Sequence, residues 1–334
     1  MTVTIDDIAT RTGVSRMTVS RALRGVGRMS DRTRKRVQQA AEDLAYRPNS
    51  SARAMSRGRF GAVGMLFETS LLRSSIPPPF ISHLTAELAR RGLRLVIGQL
   101  DEQRMDDPDY LPDFVREWAV DGVITNYHHD LPEHITRSLD GHGSPWVQFN
   151  RKADTAAVYP DDHAAGRDLN ARLIARGHRR IAYLDMAFHH QLTPNRHYSR
   201  EDRLAGYTDA MKAAGLEPIV LLDEEPSGRR GFLHGLHGLL RDPAGPSAIL
   251  GYDDSVFRTV ESLRVADPSL REAEVGGFFA LAQPHAGVIA ASVNWPAIAK
   301  ALCDAVDLDR PRSPQPVAVA YDLIEGPQLH PPAA

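Results

Sequence analysis

From Gly61 onward the chain alternates short apolar runs with longer amphipathic segments, and that alternation leaves few folds open. The apolar runs Ala62–Phe67, Leu93–Leu100, Gly122–Thr125, Trp146–Asn150, Arg180–Asp185, Pro218–Leu222, Ala248–Tyr252, Val275–Phe279 and Val288–Ser292 read as strands. Helical spacing marks Ile81–Arg91, Asp113–Ala119, His163–Arg176, Arg203–Ala214, Gly231–Leu240, Val256–Arg264 and Ala297–Val306. Strands alternating with helices imply parallel sheets covered by helices. Over roughly 270 residues the pattern suits two doubly wound subdomains, whose ligands bind outside the carboxyl ends of the strands.

The first sixty residues follow another rule. They hold 13 Lys/Arg against 5 Asp/Glu, whereas the other 274 of the 334 residues hold 27 against 37. A basic head on an acidic body predicts a polyanion partner for the head alone. Its pattern is that of three short helices. Thr4 precedes Ile5, Ile8 and Ala9 with Asp7 three residues on, a capping box. Gly13 allows a tight turn, Ser15 caps a helix from Arg16 to Leu23, and Ser30-Asp31 opens a third helix buried through Val37, Ala40, Ala41 and Leu44. Two short helices joined by a Gly-containing turn form a helix-turn-helix.

Such a unit reads DNA with the first exposed side chains of its second helix. Those are Arg16 and Met17, with Arg21 a turn later. Arginine can bind guanine O6 and N7 together, and methionine can meet a thymine methyl. Thr4, Ser15, Thr18 and Ser20 supply short hydroxyls suited to phosphates, which set register.

The blocks Thr4-Ile5-Asp6-Asp7-Ile8-Ala9, Gly13-Val14-Ser15, Thr18-Val19-Ser20-Arg21-Ala22-Leu23 and Ala45-Tyr46-Arg47-Pro48-Asn49 resemble the LacI/GalR family of bacterial transcription regulators. Arg24 stands where that family usually has Asn. Thinner matches continue through Val120-Asp121-Gly122-Val123-Ile124, Gly166, Arg176-Gly177-His178-Arg179-Arg180-Ile181-Ala182, Arg203-Leu204-Ala205-Gly206-Tyr207 and Ala248-Ile249-Leu250 with Asp253-Asp254. The resemblance implies a helix-turn-helix domain over 1–47, a hinge over 48–58 and an effector-binding, dimerising core over 59–334. That core would be periplasmic-binding-protein-like, with two Rossmann-type lobes.

In the hinge, the resemblance implies a helix that folds on DNA against its copy from a second subunit. Asn49, Ala52, Arg53 and Met55 would make its DNA contacts. Met55 takes the place of the family's usual Leu wedge, which unstacks a base step from the minor groove. The core's cleft would use Asn126, Asn150 and Arg203, with Phe80, Tyr159, Asp254 and Trp295 at or beside other cleft positions. Arg203 can grip a carboxylate, a phosphate or ring oxygens in bidentate fashion. Here the chain also departs from the family. Phe278-Phe279-Ala280 replaces the usual Gly-Phe-Asp-Asp segment, and Glu224-Glu225-Pro226-Ser227 lacks its stacking aromatic.

The function implied is that of a sequence-specific DNA-binding regulator, a repressor, dimeric on a near-palindromic operator. Its effector would be a sugar or sugar-like metabolite; an anionic effector, or an enzyme carried on a DNA-binding domain, is the alternative. No Gly-rich phosphate loop and no Gly-x-Ser-x-Gly occurs. His128-His129 and His189-His190 are adjacent pairs without metal-ligand spacing, and Asp161-Asp162 cannot flank one bond. Neither a metal nor another cofactor is expected. Cys303, the only cysteine, and an N-terminus without signal character point to the cytoplasm. Ser74-Ser75-Ile76-Pro77-Pro78-Pro79 reads as a polyproline-like loop at the cleft rim, and no leucine heptad follows Tyr321.

Overall fold

The computed structural model describes residues 3–47, 58–68, 77–117, 119–127, 130–186, 197–223, 228–279, 285–309 and 315–329. The chain divides into two units, Met1–Phe60 and Gly61–Ala334.

The first unit holds helices α1 (Ile5–Thr12), α2 (Arg16–Leu23) and α3 (Asp31–Asp43). Their starts follow the capping chemistry. The Thr4 amide donates to Asp7 Oδ2 (2.7 Å) while the Asp7 amide donates to Thr4 Oγ1 (3.4 Å). Ser15 and Ser30 accept from the Thr18 and Thr33 amides, each at 3.2 Å. Gly13 ends α1 in the left-handed region (φ 66°), which costs a glycine little. Ile8, Val19, Ala22, Val37, Ala40 and Ala41 form the buried core.

In the second unit, one sheet runs β11-β5-β4-β3-β1-β2, from β1 (Ala62–Glu68), β2 (Arg94–Leu100), β3 (Gly122–Asn126), β4 (Trp146–Phe149), β5 (Ala157–Pro160) and β11 (Val317–Val319). The other runs β12-β10-β9-β8-β6-β7, from β6 (Ile181–Asp185), β7 (Ile219–Leu222), β8 (Ala248–Gly251), β9 (Glu274–Phe278), β10 (Val288–Val293) and β12 (Tyr321–Glu325). Strand pairing is parallel throughout except where β12 runs antiparallel to β10.

Burial follows from this. Alternate residues of β6 face opposite helix layers. Tyr183 packs with α7 (Asp162–Ala175) and α8 (Tyr198–Ala213), while Ala182 and Leu184 pack with α9 (Gly228–Arg241) and α10 (Asp254–Ala266). A parallel strand covered on both faces must be apolar at nearly every position. In the first lobe, α4 (Pro78–Arg90) and α11 (Trp295–Ala305) cover one face with Leu84, Leu88, Ile298 and Leu302. The single turn α5 (Asp113–Arg116) lays the Phe114 ring against Gly64 of β1 and Gly98 of β2, where a Cβ would come within 2.4 Å of it.

The chain crosses between lobes three times: from β5 to α7, from β10 to α11, and from β11 to β12. The crossings are laced together. The Asp161 amide donates to the Val319 carbonyl (2.8 Å), and Asn294 Nδ2 donates to Asp322 Oδ1 (3.0 Å).

Several elements differ from the sequence reading. α8 begins at Tyr198, five residues before Arg203, because His197 serves as its cap. The expected helix over 113–119 stops at Arg116. Pro78 and Pro79 belong to the first turn of α4 instead of a loop, since proline suits a position whose amide needs no partner. α6 (Glu133–Gly141) and strands β5, β11 and β12 were not anticipated.

Candidate functional site

The head exposes what its core does not use. Arg16 and Met17, the first residues of α2, are 73% and 62% exposed. Arg16 Nε lies 2.9 Å from Asp6 Oδ1 on α1. Arg21 is exposed one turn on, its aliphatic stem against Gly27, where a Cβ would lie 3.2 Å from Arg21 Cδ. Arg24 Nε donates to the Ser20 carbonyl (3.1 Å) and so completes the last turn of α2. The hydroxyls of Thr4 and Ser15 serve as helix caps, and Thr18 Oγ1 lies 3.0 Å from Ser15 Oγ. Ser20 is half-buried on α2. Asn49, Ala52, Arg53 and Met55 lie outside the described residues.

In the core, the anticipated polar residues stand at the carboxyl ends of strands. Asn126 ends β3, Asn150 follows β4, Tyr159 lies in β5, and Asp254 opens the helix after β8. Asn126 is buried, and its Oδ1 has no hydrogen-bond partner among the described residues. Asn150 takes a left-handed backbone (φ 60°), which an asparagine tolerates better than most residues.

Arg203 is the centre of a buried knot. Its Nε donates to Asp162 Oδ1 (2.6 Å), Nη1 to the Tyr252 carbonyl (2.6 Å) and Nη2 to the Tyr321 hydroxyl (3.3 Å). Tyr321 in turn donates to Asp162 Oδ1 (2.8 Å). The guanidinium carbon lies 4.0 Å from the Phe278 ring centre and 4.7 Å from that of Tyr252. Burial by itself would lower the Arg203 pKa; Asp162, Tyr321 and Tyr252 overcome it and hold the pKa above its ordinary value. Burial also pushes the Tyr252 and Tyr321 hydroxyls up, so both stay protonated as donors. Asp162 and Tyr321 are the first ordered-element residues after two of the three crossings, so Arg203 fastens both to the second lobe.

A second network spans the lobes. His197 Nε2 donates to the Asn150 carbonyl (2.9 Å); a carbonyl only accepts, so the proton sits on Nε2. That leaves Nδ1 to accept from Ser199 Oγ (2.8 Å), which accepts from the Tyr252 hydroxyl (3.0 Å). Tyr198 donates to the Pro160 carbonyl (3.3 Å) and meets Tyr159 edge-on, with ring centres 5.6 Å apart. Lys152 of the first lobe pairs with Asp202 of the second, its ammonium 5.7 Å and 5.8 Å from the Tyr159 and Tyr198 ring centres. Deeper in the second lobe, Arg200 pairs with Asp185 at 2.7 Å.

The other anticipated residues stand apart from these networks. Phe80 is fully buried and stacks on Phe149 at 4.5 Å, with Trp295 tilted 5.7 Å away. Asp254 is half-exposed and pairs with Arg258 at 2.8 Å. The sequence reading missed Asp162, His197, Tyr198, Tyr252 and Tyr321. In the sequence Asp162 stands out only as half of the Asp161-Asp162 pair, and buried tyrosines carry no spacing signal. Among the described residues no group of His, Cys, Asp or Glu could hold a metal, and no helix is long and apolar enough to cross a membrane.

Comparison with known proteins supplies independent findings. Residues 4–49 match the model of bacterial regulatory proteins of the lacI family. Residues 85–263 match that of periplasmic binding proteins and the sugar binding domain of the LacI family. The HTH-type transcriptional regulator RafR of Escherichia coli is 30% identical over 252 residues, 74% of this chain and 72% of that one. A Lac repressor dimer bound to operator and the anti-inducer ONPF superposes with a TM-score of 0.70 at 18% identity, covering 97% of this chain and 98% of that one. A CelR–cellobiose complex superposes at 0.56 and 22% identity, covering 96% and 98%.

Proposed function

We propose, for a chain that belongs to the lacI family of bacterial regulatory proteins, that it represses transcription in the cytoplasm as a homodimer whose affinity for a near-palindromic operator is set by a sugar or sugar-like effector. Like its relatives, it is a DNA-binding transcriptional regulator and not an enzyme.

The observation that carries the DNA reading is the outward face of α2. Arg16, Met17 and Arg21 stand exposed there while Val19 and Ala22 fill the core behind them. A helix of this kind presents base-reading groups to the major groove, with hydroxyls and arginines to the flanking phosphates. One head covers only a few base pairs, so a second copy supplies the other half-site. The Lac repressor dimer on its operator is a relative of the same fold. Asn49, Ala52, Arg53 and Met55 of a hinge over 48–58 would add minor-groove contacts.

The cleft chemistry favours a neutral ligand. Arg203, Arg200 and Lys152 are each paired with a carboxylate, Asp162, Asp185 and Asp202. Each of the three charges is thus already offset by a carboxylate, and Asn126 and Asn150 suit hydroxyl groups. Cellobiose is the ligand of the CelR complex. The effector acts by preferring one lobe closure, and its effect on DNA affinity cannot exceed its differential affinity for the two states, about 1–3 kcal/mol.

Thermal shifts of the full chain, run against neutral mono- and disaccharides and against sugar phosphates, test the effector class. Stabilisation by a neutral saccharide that also changes affinity for a selected operator supports the reading. Stabilisation by phosphorylated sugars alone overturns the sugar assignment, and a site selection that returns no preferred sequence overturns the DNA assignment.

A further inference from the structure

The first turn of α1 carries two aspartates with different partners. Asp7 is consumed by the capping box, accepting from both the amide and the hydroxyl of Thr4. The Asp6 carboxylate takes no part in the cap and instead meets Arg16 Nε at 2.9 Å, across the turn of the helix-turn-helix. Both side chains are well exposed, at 57% and 73%, so neither contributes to the core.

The geometry of the pair has a consequence for DNA reading. An arginine at the first position of a recognition helix can swing among many rotamers and can satisfy itself on any nearby phosphate. The Asp6 contact occupies Nε and leaves clear the far edge of the guanidinium, where Nη1 and Nη2 each present one donor. Those are the donors that reach guanine O6 and N7 side by side. The carboxylate also offsets the local positive charge, which lowers the attraction to phosphate that every sequence offers equally.

On the reading that α2 enters the major groove, we propose that Asp6 is a positioning residue for base recognition, aiming the Arg16 guanidinium and trading sequence-independent affinity for discrimination at one base pair of each half-site. Asp6 touches Arg16 and acts on the base through it.

The test uses the full chain and a randomised duplex library, with the bound sequences counted for wild type, Asp6→Asn, Asp6→Glu, Arg16→Ala and Asp6→Asn/Arg16→Ala. Arg16→Ala flattens the preference at one base pair of each half-site. Asp6→Asn weakens the preference at that same base pair by about three- to tenfold. It also tightens binding to an unrelated duplex and steepens the salt dependence by up to about one counterion per head. Asp6→Glu restores the preference in part, and in the Arg16→Ala background Asp6→Asn changes nothing at that position. A merely structural role for Asp6 would lower affinity for all sequences alike, and that outcome, or an unchanged preference in Asp6→Asn, overturns the proposal while leaving α2 readout standing. If Arg16→Ala itself leaves every position unchanged, the assignment of readout to Arg16 fails and the role of Asp6 fails with it.

Discussion

Gly206 of α8 passes so close to α7 that a Cβ on it would lie 2.2 Å from the His163 carbonyl oxygen. Gly166 returns the contact, its Cβ position 2.6 Å from the Arg203 carbonyl oxygen. The two helices therefore touch backbone to backbone. This close seat puts Arg203, on α8, within reach of Asp162 at the start of α7.

Gly206→Ala should destabilise the core by about 1–3 kcal/mol, because the new methyl can be accommodated only by moving a helix. Gly238 in α9 provides the contrast, since nothing lies within 4 Å of its Cβ position. Gly238→Ala should stabilise by about 0.5–1 kcal/mol through helix propensity and the unfolded chain's lost freedom. Urea midpoints of the two variants should move in opposite directions, and a shared direction would contradict the close contact.

Removing one member of the Arg203–Asp162 pair leaves the other charged and buried. Asp162→Ala should therefore cost about 3–5 kcal/mol, as should Arg203→Ala. The double variant should cost clearly less than the sum of the two, because neither residue then leaves an unpaired charge. Additive losses in denaturant unfolding would mean that the two side chains act separately. Effector binding is the second readout, since both variants also loosen the crossings that Arg203 fastens.

The Lys152–Asp202 pair joins the lobes near the surface, where an ion pair contributes about 0–1 kcal/mol. Lys152→Met should weaken a lobe-closing effector by no more than about fivefold, and raised salt should mimic the change in wild type. Calorimetric titration at low and high salt checks both. A larger loss would place Lys152 in direct contact with the ligand.

His178 is buried beside Glu274 at 3.3 Å, with Arg176 3.1 Å from the same carboxylate oxygen. Burial outweighs the Glu274 contact and lowers its pKa below the ordinary 6.5. The folded state then resists a proton that the unfolded chain accepts. Stability should be full above pH 6.5 and decline as pH falls from there toward the folded-state pKa. Thermal melts between pH 7.5 and 5 should show a steeper decline for wild type than for His178→Gln, and parallel curves would exclude His178 as the cause.

The periodic interior was the most legible part of the sequence. The runs of the central strands, such as β3, β6, β8 and β9, were legible because a parallel sheet covered on both faces demands apolar side chains at nearly every position. Those of the edge strands β2 and β7 were legible from their aliphatic residues, although Ile97 and Val220 stand exposed. Short edge strands escaped because they lack that demand. β11 is three residues with Val317 exposed, and β12 (Tyr321-Asp322-Leu323-Ile324-Glu325) breaks the apolar pattern on both faces, with Asp322 on one and Glu325 on the other. Of the residues in the two networks, Arg203 and Asn150 could be named through the family resemblance, yet their partners could not. Asp162 and Tyr321 meet only because two crossings run side by side, a relation between residues 159 apart that no local spacing encodes. Gly166 and Gly206 were visible as parts of recurring blocks, while the helix contact that requires them was not.

The threefold crossing also fixes an order of manufacture. On the ribosome the head is complete once α3 has emerged, with its whole core drawn from residues before 48. Neither large sheet can close so early. The first lobe waits for α11 and β11, encoded after β6 to β10 of the second, and the second waits for β12, encoded after β11 of the first. A chain cut after β10 would carry a finished DNA reader attached to two unfinished lobes. For the same reason, a single recombination point cannot exchange one lobe for a relative's, and the two halves of the sensor are inherited together.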